Sequence, residues 1–256
     1  MVAAVLCASV AFCQGDIWPD VSREGWVSLF DGKSLSGWSP KIKGYKFGEN
    51  FGNTFRVVGG VIQVSYDGYG GKFDGRFGHL FYKSPFSNYL LKLEYRFFGD
   101  QLPDGPGWAW RNSGIMIHCQ DPRTMRVDQD FPVSCEVQLL GGPPEGARAT
   151  GNVCTPGTNI VINGELITRH CTDSSSATFR GDQWVAAEIE AHGNGLVIHR
   201  INGVEVLRYS KVQFDPNDSD AKSLIKNGAL MISGGFVSLQ SESHPVEFRN
   251  ILIKKI

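Results

Sequence analysis

Apolar and polar positions alternate along most of this chain with a period of two. In YLLKLEYRFF (89–98), Leu91, Leu93, Tyr95 and Phe97 fall on one side and Lys92, Glu94 and Arg96 on the other. That is the pattern of a β-strand with one face in a core. FRVVGGVIQVS (55–65) reads as two strands about a Gly-Gly turn, and WVAAEIEAHGNGLVIHRINGVEVLRY (184–209) as three strands joined at Asn194-Gly195 and Asn202-Gly203. Asn-Gly supplies positive φ at low cost and matches the twist of a hairpin. GALMISGGFVSLQSE and VEFRNILIKKI supply the last two or three strands, and SDAKSLIK fits one short helical turn. The pattern predicts an all-β sandwich of two antiparallel sheets, with few or no helices, in a single domain over 22–256.

One strand carries polar residues where a second buried face would be apolar. In SCEVQLLGG (134–142), Val137 and Leu139 point one way while Glu136 and Gln138 point the other. In RNSGIMIHC (111–119), alternation sets Asn112, Gly114, Met116 and His118 together, opposite Ser113, Ile115 and Ile117. If the two strands are neighbours, Arg111, Asn112, His118, Glu136 and Gln138 line one polar surface. The charged loop QDPRTMRVDQDFP, with Arg123, Arg126, Asp128 and Asp130, is then placed to fold over it. Residues 152–176 read as a long polar loop holding His170 beside Cys171, and SLQSESHPVEF adds Gln240, Glu242 and His244. Long loops in compact domains are often functional. Glu136 and Gln138 fit a plain solvated face equally well, and His118 fits a structural histidine.

Composition narrows the function. The 256 residues are 41% hydrophobic, with 31 Gly, 12 Pro and a formal charge of -1, which removes the basic footprint of a nucleic-acid binder. No apolar run approaches the roughly 20 residues of a membrane-spanning helix. Val2 to Phe12 is apolar and turns polar at Gln14-Gly15-Asp16. Residues 1–14 therefore have the shape of a secretory signal, although basic residues ahead of the apolar part are missing. The expected location is exported, periplasmic or extracellular. The four remaining cysteines allow three pairings. A Cys154–Cys171 bridge is favoured because it would clamp the polar loop, while Cys119 and Cys135 fit either a second bridge or two buried thiols. No His-x-His or Cys-x-x-Cys spacing occurs, so no metal ligand or cofactor is assigned. Loop aspartates remain compatible with calcium.

GWVSLFDGKSLSGW (25–38), FRVVGGVI (55–62), RNSGI (111–115), EVQLLGG (136–142), NVCTPGTN and RHC (within 152–171), GDQW (181–184) and VSLQSESHPVEFRNILI (237–253) together resemble the 3-keto-disaccharide hydrolase family. The resemblance runs in order from about residue 22 to the end. It implies a concanavalin A-like jelly roll of two curved sheets and a hydrolase acting on a small oligosaccharide or glycoside. In a 3-keto-glucoside the ketone acidifies the hydrogen on C2, so a base can form an enolate that expels the substituent on C1, and water then restores the sugar. Such a site needs one base near neutral pKa and hydrogen-bond donors for the enolate oxygen. On this reading Glu136 or His170 is the base, and Arg111, Asn112 and Gln138 are donors. His118 or His244 assists the leaving group, Glu242 contributes to substrate binding, and Trp108 and Trp110 are candidate sugar platforms. A non-catalytic carbohydrate-binding module on the same fold is the alternative.

Overall fold

The computed structural model describes residues 24–256; the signal-like residues 1–14 lie outside them. The first strands are β1 (Val27–Ser28), β2 (Trp38–Ile42), β3 (Phe55–Val58), β4 (Val61–Val64), β5 (Gly78–Tyr82) and β6 (Asn88–Phe97). The middle of the chain forms β7 (Asn112–Cys119), β8 (Cys135–Leu140), β9 (Asn152–Cys154), β10 (Thr158–Ile162), β11 (Glu165–Ile167) and β12 (Cys171–Thr172). After β13 (Val185–His192), β14 (Leu196–Ile201) and β15 (Val204–Phe214) come the helix α1 (Ser219–Leu224), then β16 (Phe236–Ser241) and β17 (Val246–Lys255). Asp218 caps α1 by accepting from the amides of Asp220 and Ala221.

The strands form two antiparallel sheets. One runs β11-β10-β15-β14-β13-β6-β17-β4-β3, with β1 also on β17; the other runs β12-β9-β8-β7-β16-β5-β2. Between them lies one large apolar core. β6 sends Tyr89, Leu91, Leu93, Tyr95 and Phe97 into it, and the facing sheet sends Ile115, Ile117, Val137, Leu139, Val153 and Leu239. Each such side chain contributes about 1.5–3 kcal/mol on burial, so the period-two pattern is also the pattern of stabilisation.

The segment 152–176, expected as one polar loop, is built differently. Asn163 and Gly164 both take positive φ (52° and 86°), closing a hairpin of β10 and β11 on the edge of the larger sheet. β9 and β12 instead extend the smaller sheet. These strands are two to five residues long, too short for alternation to reveal them. Cys154 pairs with Cys171 across β9 and β12, and the two are disulfide-bonded. Closing a loop of this length is worth about 3 kcal/mol. Replacing both cysteines by serine should therefore lower the melting temperature by about 6–12 °C, measured by thermal unfolding under oxidising conditions. Cys119 and Cys135 are buried free thiols.

Candidate functional site

The smaller sheet has a second face, turned away from the core, and its centre is polar. Glu136 on β8 lies opposite Met116 of β7, and Gln138 lies opposite Gly114. On the other side of β7 come Ser238 and Gln240 of β16, with Glu242 just beyond the strand. Despite their polarity these groups are shielded: Glu136 is 5%, Gln240 0% and Glu242 2% exposed. Glu136 Oε1, Glu242 Oε2, Asn112 Oδ1 and both amide atoms of Gln240 make no hydrogen bond within the protein. Buried polar groups are normally paired, so this many in one place marks a surface built for something other than stability.

Loops roof this face. The segment between β7 and β8 is stapled down from below: Lys41 Nζ donates to the carbonyls of Val127 and Ile42, and His79 donates from Nε2 to the Asp130 carbonyl. Gln129 Nε2 donates to Gln120 Oε1 and to the Phe131 carbonyl. What this loop presents inward is Phe131, while its charged residues pair on the surface. Arg123 binds Asp121, and Arg126 binds Asp128 and Asp220. Phe131 packs against Phe77 at 5.0 Å, and Trp108 stacks on Phe77 at 5.8 Å with planes 12° apart.

The result is a cavity of about 400 Å³, within the size range of small-ligand sites. Glu136, Glu242, Gln138 and Asn112 supply its polar groups, and Trp108, Phe131 and Pro156 its apolar walls. His170 and the Cys154–Cys171 bridge close one side. Gln138 Oε1 accepts from Asn152 Nδ2 at 3.0 Å, which leaves the Gln138 amide N–H groups as donors. Asn112 Nδ2 instead donates to the Trp108 carbonyl at 3.3 Å, so Asn112 presents an acceptor, not the expected donor. Trp108 is 54% exposed. A second chamber of about 420 Å³ shares Phe131, Pro156 and His170 with the first and is edged by Asp128, Asp215 and Asp220.

The two carboxyls dominate the electrostatics. Burial raises the Glu136 pKa, and Glu242 is raised by burial and then by Glu136, with Arg148 acting in the opposite sense. Such a pair gives up its protons in two separated steps that belong to the pair. Partial burial lowers the His170 pKa, keeping its imidazole neutral near pH 7. Its ring lies against the disulfide: a ring nitrogen and both sulfurs are within 4.8 Å of one another. Because the sulfurs are bonded to each other, this trio is not a ligand set.

Sequence alternation did not place every expected residue here. His118 has φ 54° and sits at a bulge, where Met116–Cys119 of β7 spans only Phe236–Ser238 of β16. The bulge takes His118 off the polar row, and it donates from Nε2 to the Gly193 carbonyl at 2.7 Å and lines a different cavity. Arg111, with φ 42°, turns outward to Asp182 at 2.7 Å and to the Gly181 carbonyl. Trp110 and His244 pack edge to face at 6.0 Å, and neither is among the residues that line the cavity. Burial, and then Arg111, lowers the His244 pKa to about 4. Arg111, His118, Trp110 and His244 thus do not line the cavity. Phe131, Gln240 and Arg148 belong to the site or its frame without having been assigned roles. Phe131 and Arg148 lie in loops, where no period exposes them.

Residues 25–254 match the family described as 3-keto-alpha-glucoside-1,2-lyase-like domain. A 3-keto-disaccharide hydrolase of Bacteroides thetaiotaomicron is 24% identical over 250 residues, covering 91% of this chain and 79% of its own. A candidate glycosyl hydrolase from Parabacteroides distasonis shares the fold with a TM-score of 0.56 at 20% identity, over 92% of this chain and 95% of its own. The Crh5 transglycosylase shares it with a TM-score of 0.51 at 10% identity, over 91% and 84% of the two chains.

Proposed function

This chain belongs to the 3-keto-alpha-glucoside-1,2-lyase-like family, and on that premise we propose that it cleaves the glycosidic bond of 3-keto-glycosides, with Glu136 as base and Glu242 as its protonated partner. The observation that carries this reading is the pair itself: two buried carboxyls, each with an oxygen unpaired within the protein, on one cavity. Environments that push two titrating groups apart assign an acid and a base. With the ketone at C3, the Glu136 carboxylate takes the C2 proton, and the electron pair becomes the enolate. Its collapse re-forms the C3 ketone with a C1–C2 double bond and breaks the bond from C1 to the leaving oxygen, which takes the Glu242 proton. Water then adds its oxygen to C1 and a proton returns to C2, so the net change is hydrolysis. Gln138 donates to the sugar oxygens, Asn112 accepts from a hydroxyl, and Trp108 offers a face to the ring. Neutral His170 stands where the leaving group would pass toward the second chamber.

A binding module would use the exposed Trp108 equally well. It would gain nothing from two buried carboxyls, whose ionisation is costly in a shielded site. The Cys154–Cys171 bridge suits an oxidising compartment, which supports reading residues 1–14 as an export signal. The test is incubation with a 3-keto-α-glucoside and, separately, its unoxidised parent. Cleavage of the keto sugar alone is expected, because the parent has no acidic C2 hydrogen. Binding of both without cleavage of either would select the module reading.

A further inference from the structure

Arg148 sits in the loop between β8 and β9, where charged residues usually face water. Its guanidinium instead reaches backbone carbonyls on two elements. Nη1 donates to the Trp110 carbonyl at 2.7 Å, to Gly141 at 3.0 Å and to Arg111 at 3.5 Å, and Nη2 donates to Trp108 at 3.3 Å. It also lies over the Trp110 ring, 5.7 Å from the centroid. Trp108 and Gly107 belong to a single 3-10 turn that begins after Pro106. The second tie on the Trp108 carbonyl comes from Asn112, a cavity residue. One side chain therefore fastens the turn that bears the aromatic platform to the end of the strand that bears Glu136.

We propose that Arg148 is a positioning residue of this site, one that holds the turn bearing Trp108 in register with the end of the strand that bears Glu136. The proposal rests on the reading of the previous subsection. It adds a division of labour within the guanidinium. The planar fork supplies the geometry, because several donors at fixed angles can meet carbonyls on two elements, which an ammonium cannot do. The charge supplies the field, which acts on Glu242 in the sense that favours its carboxylate.

The two contributions separate in two variants. Arg148→Lys keeps the charge and loses the fork, so KM should rise about 10-fold with the pH profile unmoved. Arg148→Met loses both, so KM rises and Glu242 holds its proton to higher pH, which moves the alkaline side of the pH profile upward and leaves the acid limb, set by Glu136, in place. Melting curves on both proteins establish that they are folded at the assay temperature. A folded Arg148→Met protein with wild-type KM and an unmoved alkaline side, beside an active wild type, would remove Arg148 alone. A wild type that fails to cleave the keto sugar would remove the underlying reading and this assignment with it.

Discussion

Glutamine at position 136 lowers kcat/KM for a 3-keto-α-glucoside by at least about 100-fold and leaves the fold in place. The amide has the shape of the carboxyl and can occupy the same space over β7, but it cannot accept the C2 proton. The wild-type pH dependence follows from the same group. Burial pushes the Glu136 carboxyl up to about 8, so its ionised fraction falls about tenfold per unit below that pH. kcat/KM should therefore climb from pH 6 toward pH 8 and level off above it, and in Glu136→Gln this limb should vanish. Stability moves the other way. A carboxyl whose folded pKa lies above the unfolded 4.5 holds its proton in the folded state after the unfolded chain has released it. Its stabilisation is complete below 4.5 and is lost as pH rises through about 8. Melting temperatures taken between pH 7 and 9 should fall less steeply in Glu136→Gln than in the wild type. Near-wild-type turnover in the folded variant would take Glu136 out of the mechanism.

Much of this was legible from alternation because alternation is imposed by burial. Val137 and Leu139 had to enter a core, so Glu136 and Gln138 were forced onto the opposite face whatever lay there. The same logic placed Leu91, Leu93, Tyr95 and Phe97. It failed where the backbone breaks its period. The positive φ of His118 and Arg111 redirects both side chains, and nothing in RNSGIMIHC announces a bulge. The choice left open for Cys119, a second bridge or a buried thiol, is decided at the same bulge. Beyond the bulge Cys119 joins Phe81, Met116 and Met125 in a small cluster apart from the main core, while Cys135 points into that core. The two thiols thus belong to different clusters and stay free. Arg148 was invisible for a different cause. Its partners are carbonyls of Trp108, Trp110, Arg111 and Gly141, and carbonyls carry no sequence signal. The Cys154–Cys171 bridge was legible because the two residues flank the segment that must be held against the cavity.

The strongest test of the arrangement, as distinct from its chemistry, lies at a residue with no side chain. Gly114 sits on β7 between Gln138 and the β16 row, and its φ is not left-handed. Its backbone is therefore one that alanine adopts freely, and glycine is required for space alone. A methyl group there would lie 2.6 Å from Glu136 Oε1, 2.7 Å from Glu136 Cγ and 3.0 Å from Gln240 Oε1. Ends of flexible side chains can move, so Gly114→Ala should fold, with an overpacking cost of about 1–3 kcal/mol. What cannot survive is the position of the carboxylate. Displacing a base by about 1 Å can cost on the order of 100-fold, and the methyl also occupies the floor on which the sugar would rest. A loss of about 100-fold or more in kcat/KM is expected, with a melting temperature lowered by about 2–12 °C. The two variants then differ in kind. Glu136→Gln leaves a site of the right shape without a base, so its residual turnover has no acid limb. Gly114→Ala keeps an ionisable carboxyl in the wrong place, so what turnover remains still rises with pH. Wild-type kcat/KM in Gly114→Ala would mean that the reacting sugar does not lie over this part of the sheet, and the assignment of Glu136 would fall even if its own replacement proved damaging.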